Sequence, residues 1–212
     1  MNLSFSAGDS EENVRRNREL FFGSLGIGPE EIAVPRQVHG DRVAVVRRPG
    51  SAADTDGLIT SAERVFLCVT IADCVPILLA DPENRAVAAV HAGWRGTASG
   101  IAAAAVRLMA DACGSHPNTL RAFVGPSASV CCYEVGEDVA GKFSAQFVDR
   151  RTSSVRVDLK GANRAQLTGA GLDPENIEIS PYCTISETSI FHSHRREGSA
   201  SGRMMAVIGI IS

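Results

Sequence analysis

Three short segments of the chain place metal-competent or acid–base side chains beside glycines or at the ends of apolar runs. They are Gln37-Val38-His39-Gly40-Asp41, Ile71-Ala72-Asp73-Cys74-Val75-Pro76 and Val90-His91-Ala92-Gly93-Trp94-Arg95-Gly96. The chain has only five His, and two of them fall in these segments. The separation of His39, Cys74 and His91 fits no short metal motif, so spacing alone says little. Ligand chemistry says more. Two imidazoles and one thiolate suit zinc, and a set of three protein ligands leaves a fourth position open to water or substrate. Their placement where apolar strands break into turns is where sites are commonly built. Each residue taken singly also has a plainer reading. His39 before a glycine can be a turn residue, Cys74 a small buried hydrophobe, and His91 a core histidine. Asp73 can cap a turn, and Trp94-Arg95 can be packing beside a surface cation.

These side chains need a folded scaffold, and the composition supplies one. The 212 residues are 44% hydrophobic and 21% charged, with mean hydropathy +0.03, which are ordinary globular values. A domain of this size removes roughly 70% of its unfolded surface on folding and needs no disulfide or metal staple. The net charge of -3 and pI near 6.0 give no basic field, so no nucleic-acid partner is expected. There is no apolar run long enough for a membrane span, and Met1 to Glu12 has neither the basic nor the apolar region of a signal peptide. A cytoplasmic location with no membrane partner is the expectation. Six Cys without a Cys-x-x-Cys pair read as free thiols or metal ligands rather than a disulfide framework.

Hydrophobic patterning predicts the elements. Ser10 caps a helix over Glu11 to Leu25, ended by Gly26 and Gly28. Strands are expected at Val43–Val46, Val65–Ile71, Ile77–Ala80 and Ala86–Val90, the last two joined by a turn at Asp81-Pro82-Glu83-Asn84. Thr97 or Ser99 opens a helix over Ile101 to Cys113 that Gly114 closes. Beyond it lie a strand at Arg121–Val124, a helix over Glu137–Phe147, a strand at Val155–Leu159, a helix over Ala162–Ala170, and strands at Ile177–Ile179 and Met205–Ile211. Continuous apolar strands mixed with helices indicate a layered α+β domain with buried mixed sheets.

Several segments together resemble a known family. Q-V-H-G-D-R-V, D-G-L-I-T, T-I-A-D-C-V-P-I-L-L-A-D, A-V-H-A-G-W-R-G-T and G-P-S-A-S-V-C-C-Y-E-V stand in the order found in the YfiH/YlmD family. This is the bacterial relative of the mammalian FAMIN protein and also carries the label polyphenol oxidase. V-D-L-K-G-A-N, Y-C-T and F-H-S-H-R-R extend the likeness, although His192 stands where the family more often has Phe or another residue. Family members carry some thirty further N-terminal residues with a Gly-Gly-Val-Ser-like stretch. This chain starts near their Ser-Leu-Asn-Leu segment, at Met1-Asn2-Leu3. The resemblance implies a single YfiH-like domain over 1–212 without that stretch.

What the resemblance implies about chemistry is a zinc site at His39, Cys74 and His91 and activity on purine nucleosides. The reactions would be phosphorolysis of adenosine, inosine, guanosine and methylthioadenosine, and deamination of adenosine. A zinc ion that lowers a water's pKa to about 7 suits attack at C6 of adenine. Phosphorolysis needs an anion site, for which Arg95 or Arg195-Arg196 are candidates. Asp73 is a candidate general acid/base beside Cys74, and Gln37 a candidate for binding substrate or orienting His39. Cys131, Cys132, Tyr133 and Cys183 either line the pocket or pack.

Three other functions remain open on the residues. A copper-dependent polyphenol oxidoreductase of the laccase type needs far more imidazoles than five, although copper binds N/S ligands more tightly than zinc and could occupy the three-ligand site. A Cys–His amide hydrolase editing peptidoglycan precursors would use Cys74 as nucleophile and His91 as base. A non-enzymatic interaction domain would use neither.

Overall fold

The computed structural model describes residues 1–151 and 153–211. Helix α1 (Glu11–Ser24) begins where the Ser10 hydroxyl accepts the Asn13 amide, and Gly26 at φ 68° follows its end. Strands β1 (Ile32–Pro35), β2 (Val43–Val45), β3 (Gly50–Ala52), β4 (Gly57–Thr60), β5 (Phe66–Ile71), β6 (Val75–Asp81) and β7 (Ala86–Ala92) follow. Helices α2 (Trp94–Ala98) and α3 (Ile101–Cys113) lead to β8 (Arg121–Val124). The rest comprises α4 (Glu137–Ala140), β9 (Val148–Asp149), β10 (Arg156–Val157), α5 (Leu159–Gly169), β11 (Ile177–Ile179), α6 (His194–Glu197) and β12 (Met204–Ile208).

Two mixed sheets carry the fold. One has six strands in the order β11-β8-β6-β7-β4-β2, the other four in the order β12-β5-β1-β3. Strand alternation shows how they stack. On β7, Ala86, Ala88, Val90 and Ala92 face a core shared with α3 and α5, including Ala102, Ala105, Met109 and Leu167. Val87 and Ala89 face the other way, onto Leu67 and Val69 of β5. The even residues Phe66 and Cys68 of β5 then meet Phe22 and Ile27. The layers run helix, sheet, sheet, helix, and the expected α+β class with buried mixed sheets holds. The alanines of β7, all buried, let two layers close on it from both faces.

Several boundaries differ from the sequence expectation. Thr97 and Ser99 do not cap α3; Gly100 does, at φ 86°, because Trp94–Ala98 already forms a helical turn and the Thr97 hydroxyl accepts from Asn163 Nδ2 at 3.0 Å. The helix expected over Glu137–Phe147 stops at Ala140, before Gly141, and resumes only as a 3-10 turn. The strand expected at Val155–Leu159 pairs only over Arg156–Val157, since Asp158 caps α5 by accepting the Gly161 amide at 2.9 Å. Strands β1, β3 and β4 had no counterpart in the sequence reading. Among the described residues, no helix is long and apolar enough to cross a membrane.

Candidate metal and substrate site

His91 is the sixth residue of β7, and its parity places it on the same side of the strand as Val87 and Ala89, between the two sheets. Cys74 sits immediately before β6, whose Pro76 is the register partner of His91. His39 belongs to the loop before β2 and adopts φ 60°, a left-handed conformation unusual for a residue other than glycine. The ligand atoms of His39, Cys74 and His91 lie within 4.8 Å of one another. The two imidazoles meet edge-on, with centroids 4.9 Å apart and planes at 87°. A Cβ on Gly93 would lie 3.3 Å from both Cys74 Sγ and His39 Cδ2, tighter than most side-chain contacts, so the glycine leaves room for the donors to converge.

Asp56, fully buried at the start of β4, organises this trio. Its carboxylate accepts the backbone amides of Val38 (3.1 Å), His39 (2.9 Å) and Gly40 (2.7 Å), which fixes the strained His39 loop. It also accepts His91 Nδ1 at 2.8 Å, so that nitrogen carries the proton and Nε2 is left as the donor atom. Its carbonyl accepts the His91 amide at 2.7 Å. Sequence reasoning registered D-G-L-I-T as a motif but assigned Asp56 no role. A carboxylate just before a fully buried strand, where an unpaired charge is costly, was the available signal.

The electrostatics follow from these contacts. Burial works to raise the Asp56 carboxyl, but the His91 bond and the backbone amides outweigh it and hold the group below its usual range. Burial likewise works against the Cys74 thiolate; hydrogen bonds and charge from His39 and His91 overcome it and bring the thiol down to about 6. His91 moves the other way: burial disfavours its charge, yet Asp56 and the Cys74 thiolate raise it to about 9. Each group thus favours the charged form of the other, the thiol shifted down and the imidazole up. Two imidazoles and a thiolate, one ring clamped by a carboxylate, are a donor set that fits zinc or copper.

The other candidates fall around this centre. Asp73, buried at φ 83°, accepts the Thr184 hydroxyl (2.7 Å), the Ser193 hydroxyl (3.0 Å) and the Arg195 amide (2.6 Å), so its carboxylate ties the C-terminal segment to the β5–β6 turn. Gln37 grips Thr70: Nε2 donates to its carbonyl at 2.9 Å and Oε1 accepts its amide at 2.8 Å. That bond anchors the His39 loop to β5. Arg95 stacks on Trp94, 4.2 Å from the ring centroid. Arg195 lies over Tyr133 at 5.1 Å and donates to the Glu134 carbonyl at 2.6 Å. Trp94, Tyr133, Val135, Val155 and Arg195 line one cavity of about 590 Å³, which Arg95 does not line. Burial, then the negative charges of Cys74 and Asp73, push the Tyr133 phenol up to about 12 against the pull of Arg195, so it remains a hydrogen-bond donor at neutral pH.

The reactivity of Cys74 gives a direct check. In metal-free protein, iodoacetamide should label Cys74 rapidly, with a rate that rises through pH 6 rather than through the ordinary thiol range near 8.5. Loading with zinc should slow that labelling strongly, because coordination engages the sulfur lone pair. Cys68, buried and raised to about 12, should stay slow in both samples. Peptide mapping separates the sites. Fast labelling of metal-saturated protein would instead favour Cys74 as a free nucleophile.

Comparison with known proteins shows the family to which the chain belongs. The family described as "Multi-copper polyphenol oxidoreductase laccase" matches residues 1–211. A Deinococcus radiodurans protein named purine nucleoside phosphorylase is 40% identical over 206 residues, covering 95% of this chain and 79% of that one. A protein named adenosine deaminase RL5, from an unknown prokaryotic organism, is 35% identical over 221 residues, covering 96% and 84%. The crystal structure of Bacillus licheniformis YfiH superposes with a TM-score of 0.94 at 35% identity, covering 99% of this chain and 85% of that one.

Proposed function

We propose, from the premise that the chain belongs to the YfiH/YlmD family described as multi-copper polyphenol oxidoreductase laccase, that it is a zinc-dependent purine nucleoside enzyme. Its reactions are phosphorolysis of adenosine, inosine, guanosine and methylthioadenosine, and deamination of adenosine. The observation that carries this reading is the convergence of His39, Cys74 and His91, with the Cys74 charge reaching Tyr133, which together with Trp94 and Arg195 lines a neighbouring cavity that the three donors themselves do not line. Relatives named for purine nucleoside phosphorolysis and adenosine deamination support the substrate class.

His39, Cys74 and His91 would hold the ion, which would supply Lewis acidity to the site. Asp56 keeps His91 in the tautomer that presents Nε2. Trp94 offers the face opposite Arg95 on which a purine stacks, as aromatic rings do for bases generally, while Tyr133, with Arg195 over its ring, presents its hydroxyl. The Arg195 guanidinium meets phosphate, the planar fork being suited to that anion. Its main-chain amide is held by Asp73, so Asp73 positions the anion-binding side chain. The Tyr133 hydroxyl donates to substrate and stays protonated across the working range. Arg95, stacked on Trp94, adds positive charge beside that wall.

The copper oxidase reading finds less support. His116, His192 and His194 belong to neither of the donor groups found among the described residues, so imidazoles for a multicopper centre are not gathered.

The test is catalytic. The purified protein should release hypoxanthine from inosine only with phosphate present, and ammonia from adenosine without it. His91→Ala should abolish both, and Arg195→Ala should raise the KM for phosphate while sparing deamination. Absence of both activities from folded, metal-loaded protein overturns the proposal.

A further inference from the structure

A second set of sulfurs meets outside this site. Cys131 and Cys132 lie in the loop after β8, and Cys183 in the loop after β11; their Sγ atoms are within 4.8 Å of one another. Cys131 and Cys132 Sγ are 3.4 Å apart. All three are free thiols. The two loops are fixed to each other by backbone pairing, with a bridge between Ser127 and Cys183 and the Thr184 amide donating to the Ser127 carbonyl at 3.1 Å. The main chain thereby holds the two loops that carry the three cysteines side by side.

Two features mark the cluster as more than packing. The first is a buried ammonium. Lys160, 6% exposed, donates to the carbonyls of Ser180 (2.9 Å) and Tyr182 (2.7 Å), and among the charges acting on it Cys183 stands first, ahead of Asp158 and Cys131. Lysine is seldom buried without a negative partner; among the described residues this ammonium hydrogen-bonds to carbonyl oxygens, and its charged neighbours are the Cys183 sulfur, the Asp158 carboxylate and the Cys131 sulfur. The second is the Cys183 sulfur, which accepts the Ser129 amide at 3.4 Å.

We propose that Cys131, Cys132 and Cys183 form a second cation site, a three-thiolate cradle for a thiophilic ion, copper(I) or zinc. Sulfur donors select these ions over magnesium or calcium. Two bonds of about 2.3 Å from one zinc keep their sulfurs within roughly 4.6 Å, close to the observed spread. Buried Cys183 forms the floor and exposed Cys131 the entrance. Three thiolates around zinc leave one negative charge, which the Lys160 ammonium offsets; around copper(I) they leave two. The donor set shares no residue with the His39–Cys74–His91 trio.

The test uses the full chain, reduced and kept anaerobic, with cadmium as the spectroscopic probe. Wild type should bind one equivalent more than Cys131→Ser/Cys132→Ser, and the extra equivalent should carry thiolate charge-transfer absorption of three-sulfur intensity. Both substituted residues are at least partly exposed, so the fold should survive, as circular dichroism can verify. Cys74→Ala should keep that equivalent, which separates failure of this inference from failure of the nucleoside-site reading. Titration with zinc and with copper(I) against chelators then identifies the preferred ion. Equal stoichiometry in wild type and the double variant, single-sulfur intensity, or no binding of either ion overturns the proposal.

Discussion

Protein purified without added metal should contain close to one zinc at the His39–Cys74–His91 centre, and Cys74→Ala should lose it. The thiolate supplies the sole negative charge among the three donors, and a two-imidazole remnant is a far weaker site. Nucleoside turnover should fall with the zinc. Acid should mimic the substitution, because ligands bind metal only when deprotonated. The Cys74 thiol at about 6 and the His91 imidazole at about 9 set the direction: protons compete for His91 throughout the neutral range and for the sulfur as well below pH 6. Elemental analysis of wild type and Cys74→Ala, dialysed at neutral and at acid pH, measures both effects. Undiminished zinc in the Cys74→Ala protein would remove the assignment, once the Cys131–Cys132–Cys183 cluster has been silenced in the same background.

Asp56 carries the second large effect. Asp56→Ala strands the amides of Val38, His39 and Gly40 and leaves the His91 ring without its partner. Val38 and His39 are exposed and Gly40 half-buried, so water can take up their amides, and the loss should be about 1 kcal/mol per bond, with the buried His91 ring adding to it. Asp56→Asn keeps one acceptor oxygen but substitutes an NH2 for the other. The milder variant should fold and yet bind zinc more weakly by about 10–100-fold, the usual range when a ligand's orienting partner is changed. Urea denaturation and chelator competition read the two quantities separately. An Asp56→Asn protein matching wild type in both would show that the carboxylate neither orients His91 nor holds the His39 loop.

Much of the frame was legible because it rests on local patterning. The Ser10 cap, the Ala-rich helix Ile101–Cys113 and the apolar runs of β5, β6 and β7 state their structure in a few consecutive residues. The donor trio was legible by residue type and by family likeness, and the structure brings its members together. Asp56 was not, because its role consists of bonds to residues 16 to 18 and 35 positions away. Arg95 and Arg195 looked equivalent as cations; only the packing of α6 against the Tyr133 loop shows which one enters the cavity. Strands β1, β3 and β4 escaped because each spans three or four residues and is completed by partners distant in the chain.

The span of the Asp73 bonds bears on the order of biosynthesis. His39, Asp56, Cys74 and His91, with the strands that carry them, all emerge within the first 92 residues. Thr184, Ser193 and Arg195, which close on Asp73, lie 111 to 122 positions later. At translation speeds of about 5–20 residues per second, several seconds separate the two events. The candidate donors His39, Cys74 and His91 are therefore synthesised well before Arg195 is added to the chain. Closure of Asp73 on the Thr184 hydroxyl, the Ser193 hydroxyl and the Arg195 amide is thus a late step in assembling the candidate site.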